Sequence, residues 1–156
     1  FWGPVGTGKS FIAGCIANEL LKQEVTVKMT NFNTIIDDIF PLADKTEYIN
    51  ALASYQLLII DDLGVERNSE YALGIIFSVI DRRTRSGRPL IITTNLPLKE
   101  IKNETMLDKR RIYDRILEMC TPMYVGGTSK REVIASMKME KAKTLLNTNR
   151  GEEDCE

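Results

Sequence analysis

An α/β fold with a mainly parallel sheet covered by helices on both faces is predicted by three features of the 156-residue chain. Apolar strand-like runs alternate with segments of helical period. Two of the runs, LLII at 57–60 and LIITT at 90–94, are almost apolar throughout, as strands buried on both faces are. A glycine-rich turn at 3–8 joins the first apolar residues to the first helical period.

Each element follows in order. Phe1-Trp2 reads as the end of a buried strand, so the start of that strand is expected upstream of Phe1. Ile12, Cys15, Ile16 and Leu20 form a helical stripe within 11–21. Residues 25–29 (VTVKM) alternate and are β-branched, a strand. Asn31 or Asn33 caps a helix carrying Ile35, Ile36, Ile39 and Phe40, which stops near Pro41. Phe32 and Phe40 are expected in the core. A loop and a short helix fill 43–55, before the strand at 57–60. Leu73, Ile76, Phe77 and Ile80 mark a long helix closed by Ser86-Gly87 and Pro89. After the strand at 90–94, Ile112, Ile116 and Met119 mark another helix, residues 123–125 a fifth, short strand, and residues 129–146 a last helix. One domain over 1–146 and a polar tail at 147–156 result.

Composition removes several classes. There is no histidine, hence no Ser-His-Asp triad and no imidazole metal ligand. Cys15, Cys120 and Cys155 are odd in number and widely spaced, which excludes a cysteine zinc cage and fits a reduced, cytoplasmic protein. No apolar run is long enough to span a membrane. Twenty-one Lys and Arg balance twenty-two Asp and Glu, so global charge does not point to nucleic acid.

The glycine-rich turn carries chemistry. Gly3, Pro4, Val5, Gly6, Thr7, Gly8, Lys9 and Ser10 match G-x-x-x-x-G-K-[ST] between a strand remnant and a helix, with Phe11 directly after. Such a loop wraps a phosphate with backbone N–H groups, and the helix start adds its positive end. With ATP or ADP as the nucleotide, Lys9 is then expected to reach the β-phosphate and, in ATP, the γ-phosphate, and Ser10 to hold Mg²⁺. A P-loop nucleotide-binding domain is the expectation. Asp61 and Asp62 close the apolar run at 57–60, at the strand edge where open α/β sheets bind ligands. Asp61 is expected to orient the magnesium and Asp62 to act on the attacking water; position alone divides these roles.

Together these pieces resemble the AAA+ ATPases of the bacterial helicase-loader and transposition-helper group. The likeness spans nearly the whole chain, through FWGPVGTGKSFIA, LLIIDDLGVERNSEY, VIDRRTRSGRPLIITTNL and RIYDRI in order. The DnaC/DnaI type of replicative helicase loader is the nearer look, and the IstB type of transposase helper the second. The resemblance implies a RecA-like AAA+ αβα sandwich with a five-stranded sheet. Asn95 is implied as the polar residue that feels the γ-phosphate. Arg115 is implied as a finger donated to a neighbouring subunit's ATP, with Arg111 one turn earlier as its competitor. Arg131 resembles a second sensor at a helix start. Only 31 residues follow the last strand, so little or no helical lid is expected. Asp62 is shorter than the glutamate usual there, which sets the base farther from the water and implies slow turnover; the resemblance itself implies that turnover depends on assembly.

Contacts to single-stranded DNA are assigned to Ser69 and Tyr71, beyond the aspartates, and to Arg82, Arg83 and Arg85, with a place in the core as the other reading of Tyr71. Residues 81–115 hold ten Lys or Arg against five Asp or Glu. Two readings stay open for that stretch, phosphate contacts or a solvated helix end. The implied function is ATP-driven assembly on single-stranded DNA and loading of the replicative helicase, mainly through a region upstream of Phe1. The alternatives are a transposase helper, a module holding ATP as a structural ligand, and a small-molecule kinase.

Overall fold

The computed structural model describes residues 1–66, 69–129, 132 and 134–142. The elements in order are α1 (Lys9–Lys22), β1 (Val27–Thr30), α2 (Phe32–Ile39), α3 (Lys45–Ser54), β2 (Leu57–Leu63), α4 (Glu70–Ser86), β3 (Leu90–Thr94), α5 (Leu98–Lys102) and α6 (Leu107–Met119).

The strands pair in parallel in the order β1-β2-β3, with Ile59 opposite Met29 on one side and Ile91 on the other. Trp2 extends the order as a parallel bridge to Thr94, and Tyr124 as a parallel bridge to Trp2. The expected first strand, at Phe1-Trp2, and the expected last one, at 123–125, are therefore single bridged positions within the described chain, with Trp2 between β3 and Tyr124. The Trp2 N–H donates to Met123 O at 3.0 Å and the Val125 N–H to Trp2 O at 2.8 Å, which ties the residues after α6 to the start of the chain.

Side chains alternate across β2, so one strand feeds two cores. Leu57 and Ile59 pack under α1 with Ala13 and Ala17. Leu58, Ile60 and Leu63 pack on the opposite face with Phe32 and Ile36 of α2, Ile76 and Ile80 of α4, and Ile112 and Ile116 of α6. Helices thus lie on both faces of a parallel sheet. The face of α1 is shifted from the expected stripe. Ala13 and Ala17 are buried, whereas Ile12 and Cys15 are exposed. The small side chains of Ala13 and Ala17 face the sheet, and the start of α1 lines one cavity with the ends of β2 and β3.

Caps fix the helix starts. Asn31 Oδ1 accepts from the Thr34 N–H at 2.9 Å, so Asn31 rather than Asn33 is the cap of α2. Ser69 Oγ accepts from the Ala72 N–H and begins α4, and Gly87 ends it in the left-handed region at φ 65°. The helix α5 was not legible in the sequence. Residues 134–142 are helical, while Arg131 and the tail at 147–156 lie outside the described residues. No helix among the described residues is long and apolar enough to cross a membrane.

Candidate nucleotide site

The glycine-rich loop and the C-terminal ends of β2 and β3 enclose a cavity of about 340 Å³. Val5, Gly6, Gly8, Lys9, Ser10 and Phe11 form one wall, and Asp61, Asp62, Thr93 and Asn95 the other. All of these except Thr93 are site residues expected from the sequence, and the fold brings them to one place.

The loop wall is built for an anion. Gly8 adopts φ 98° at the start of α1 and offers no side chain to cap it. The start of α1 thus brings the positive end of a fourteen-residue helix to the cavity, with no capping side chain at Gly8 in the way. Gly6 has φ 82°, and a Cβ there would stand 2.2 Å from Ser129 Oγ, so only glycine fits the turn. Lys9 is 6% exposed, and its ammonium donates to Gly3 O at 2.8 Å and Pro4 O at 2.7 Å. Thr7 is buried and its hydroxyl donates to Pro4 O at 3.0 Å. Gly3, Pro4 and Thr7 thus shape the loop from behind and do not line the cavity.

The opposite wall is an irregularity in the sheet. The register runs to Ile60↔Ile92 and resumes at Leu63↔Thr94, so Asp61 and Asp62 together face one residue, Thr93. Bulges of this kind bend a strand and re-aim its side chains. Asp62 takes φ 61°, an uncommon conformation for a non-glycine residue that short polar side chains tolerate best. Asn95 Nδ2 donates to Asp62 Oδ1 at 2.9 Å. Thr93, which sequence reasoning missed, donates to Asp61 Oδ1 and accepts from the Asp62 N–H at 2.9 Å. Its signal was only one of two successive threonines in a strand.

Whether these donors suit a divalent cation follows from their number and kind. No group of three or more His, Cys, Asp or Glu among the described residues could hold a metal alone. Ser10 and Asp61 line the cavity from facing walls and supply hard oxygen donors. One hydroxyl and one carboxylate suit Mg²⁺ held jointly with phosphate oxygens and water. The fit is to a nucleotide-borne cation.

Other expected site residues lie elsewhere. Arg83 is corrected: it is 0% exposed, and its guanidinium donates to Ala53 O, Tyr55 O, Gln56 O and Pro89 O. It joins the end of α3 to the starts of β2 and β3 and cannot touch DNA. Burial pushes its pKa down to about 10, still far enough above neutrality to keep it a cation. Arg82 and Arg85 are exposed, and Arg85 pairs with Asp81 at 3.0 Å. Arg115 does not line the cavity; it pairs with Asp81 of its own chain. Ser69 is exposed, but its oxygen is engaged as the cap of α4. Tyr71 is exposed and meets Phe40 edge to face at 6.3 Å between centroids, with Lys45 Nζ 4.6 Å from its own centroid. Phe40 is 74% exposed, which overturns its expected place in the core; Phe32, by contrast, is buried. Phe40 is the C-cap of α2, one step past the stripe of Ile35, Ile36 and Ile39 that the sheet covers.

A parallel sheet with helices on both faces and a glycine-rich loop opposite two strand-end carboxylates defines a P-loop nucleotide-binding domain. The chain belongs to the family of IstB-like ATP binding proteins, whose model matches residues 1–137. Over 121 residues it is 35% identical to the replicative helicase loader DnaC of Escherichia coli (strain K12), covering 74% of this chain and 48% of that protein. Over 143 residues it is 25% identical to the replicative helicase loader DnaI of Bacillus subtilis (strain 168), covering 83% of this chain and 46% of that one. A crystal structure of DnaI superposes with a TM-score of 0.69 at 22% identity, over 83% of this chain and 71% of the other. The fold is accordingly that of the DnaC/DnaI-type loaders, and the chain spans about half the length of both relatives.

Proposed function

We propose that this domain binds and hydrolyses Mg-ATP, assembles with copies of itself on single-stranded DNA, and serves the loading of a replicative helicase. The observation that carries the reading is one cavity with Lys9 and Ser10 on one wall and Asp61, Asp62 and Asn95 on the other. Sequence kinship to helicase loaders supplies the partner class.

In this reading the loop N–H groups and Lys9 take the β- and γ-phosphates, which compete with Gly3 O and Pro4 O for the ammonium. Ser10 and Asp61 hold Mg²⁺, which when bound neutralises charge on the phosphates. Asp62 orients the attacking water and takes its proton, and Asn95 holds Asp62 in place until the γ-phosphate draws on the same amide. Arg115 completes the site of a neighbouring subunit. The exposed pair Phe40 and Tyr71, with Lys45 beside it, offers two π-faces and a cation to unpaired bases.

A second reading, a transposase helper, is favoured by the family model's own description as IstB-like. Fluorescence anisotropy with labelled oligonucleotides in Mg-ATP separates the two. Tighter binding to a single strand than to the same sequence as duplex supports the loader. Preference for duplex gives the helper the better claim.

A further inference from the structure

Thr93 stands opposite two residues where a regular ladder would give it one. The extra residue of a bulge leaves an N–H without a strand partner. The Thr93 hydroxyl oxygen takes that hydrogen from Asp62 at 2.9 Å. Its own proton goes to Asp61 Oδ1. A hydroxyl has a single hydrogen, so the two bonds fix its direction: donor to one aspartate, acceptor from the other. The side chain is 1% exposed and β-branched, which leaves it little rotamer freedom. One buried hydroxyl therefore connects the β3 edge to the carboxylate of Asp61 and to the backbone of Asp62.

We propose that Thr93 is a positioning residue of the hydrolytic site, its hydroxyl aiming Asp61 at the nucleotide-borne cation and pinning the bulge that presents Asp62. This rests on the reading of Asp61 as cation ligand and Asp62 as the group acting on water. Thr93 touches neither phosphate nor water in this role; it acts through the two aspartates. Residues that orient a metal ligand typically change metal affinity or activity by about 10–100-fold when removed. Serine keeps both the donor and the acceptor, whereas valine keeps the shape and loses both.

The test compares Thr93→Val, Thr93→Ser and Asp61→Asn with the unaltered chain. A fluorescent ATP analogue is titrated first in EDTA, then at fixed concentration against Mg²⁺, and turnover is measured separately. Thr93→Val should bind nucleotide normally in EDTA, need about 10–100-fold more Mg²⁺ for half its effect on binding, and turn over correspondingly slower. Thr93→Ser should stay near the unaltered values. A folded Thr93→Val with unchanged Mg²⁺ dependence overturns the proposal, as does Thr93→Ser falling as far as Thr93→Val, since shape would then be the cause. Should valine fail to fold by circular dichroism, Thr93→Ala against Thr93→Ser is read by the same rule. Asp61→Asn separates the two levels: if it too leaves the Mg²⁺ dependence unchanged, the role of Asp61 itself is wrong.

Discussion

Arg115 Nη2 lies 2.9 Å from Asp81 Oδ1, across the contact between α6 and α4. Its guanidinium also sits 5.1 Å from the centre of the Phe77 ring, and Asp81 holds Arg85 with its second oxygen at 3.0 Å. The position of Arg115 at the edge of a buried stripe suggests a side chain facing only solvent or a partner. Instead it is 34% exposed and anchored on its own subunit. Anchoring does not exhaust it, because a guanidinium carries five N–H donors. Arg111 also lies over Phe77, at 5.8 Å, but is exposed. The anchored residue is the better prepared to meet a fixed point on a neighbour.

Arg115→Ala should fold and bind ATP normally yet fail to activate hydrolysis next door. Mixed with Lys9→Ala, it should regain part of the activity, since some interfaces pair an intact Arg115 with an intact Lys9. Fingers contribute about 10³–10⁵ in rate in P-loop enzymes, so the recovery is large enough to measure. No recovery in a mixture that sizing shows to co-assemble would place Arg115 in a role within its own subunit.

Arg83→Met should destabilise the fold without touching the site. It strips a donor from four backbone carbonyls at once, of which Pro89 O keeps the Leu58 N–H, and each buried group left unsatisfied costs about 1–3 kcal/mol. A drop of at least about 3 kcal/mol in urea denaturation is expected, against about 0.5 kcal/mol or less for exposed Arg82→Ala.

On DNA, the aromatic pair and the arginines should separate by kind. Phe40→Ala and Tyr71→Ala should each weaken single-strand binding by about 1–3 kcal/mol with the salt dependence intact. Arg82→Ala with Arg85→Ala should flatten the salt slope by about one for each phosphate left without its cation. Anisotropy titrations over a salt series read both, and binding indifferent to all four changes would return these faces to solvent.

Asp62→Asn should keep ATP affinity and lower turnover by about 10²–10⁴, the usual contribution of a general base. Isothermal titration and steady-state hydrolysis on the same preparation check it. Affinity falling as far as turnover would exchange the roles of Asp61 and Asp62.

The sheet, the phosphate loop and the paired aspartates were legible because each is a local pattern. A short apolar run bounded by turn residues suits a buried strand, and G-x-x-x-x-G-K-S has one backbone shape that suits it. The bulge at Asp61 and Asp62 was not, since nothing in two successive aspartates says that both will face Thr93; only pairing with β3 decides it. Arg83 was hidden for a related reason. Flanked by Arg82 and Arg85, it looks like one more member of a basic run, and only tertiary structure supplies the four carbonyls that make its burial tolerable. Phe40 misleads in the opposite direction, because a helix that ends at Ile39 leaves the next apolar side chain outside.

Every role proposed for this domain depends on the cavity between the glycine-rich loop and the two aspartates holding the phosphates of Mg-ATP. Lys9 is the one side-chain cation among the described residues that line that cavity. Isothermal titration of ATP with Mg²⁺ into the unaltered chain and into Lys9→Ala is therefore the deciding experiment. Saturable binding at one site per subunit is expected for the unaltered chain, and its loss in Lys9→Ala. Unchanged affinity in a folded Lys9→Ala would refute the assignment of the phosphate site.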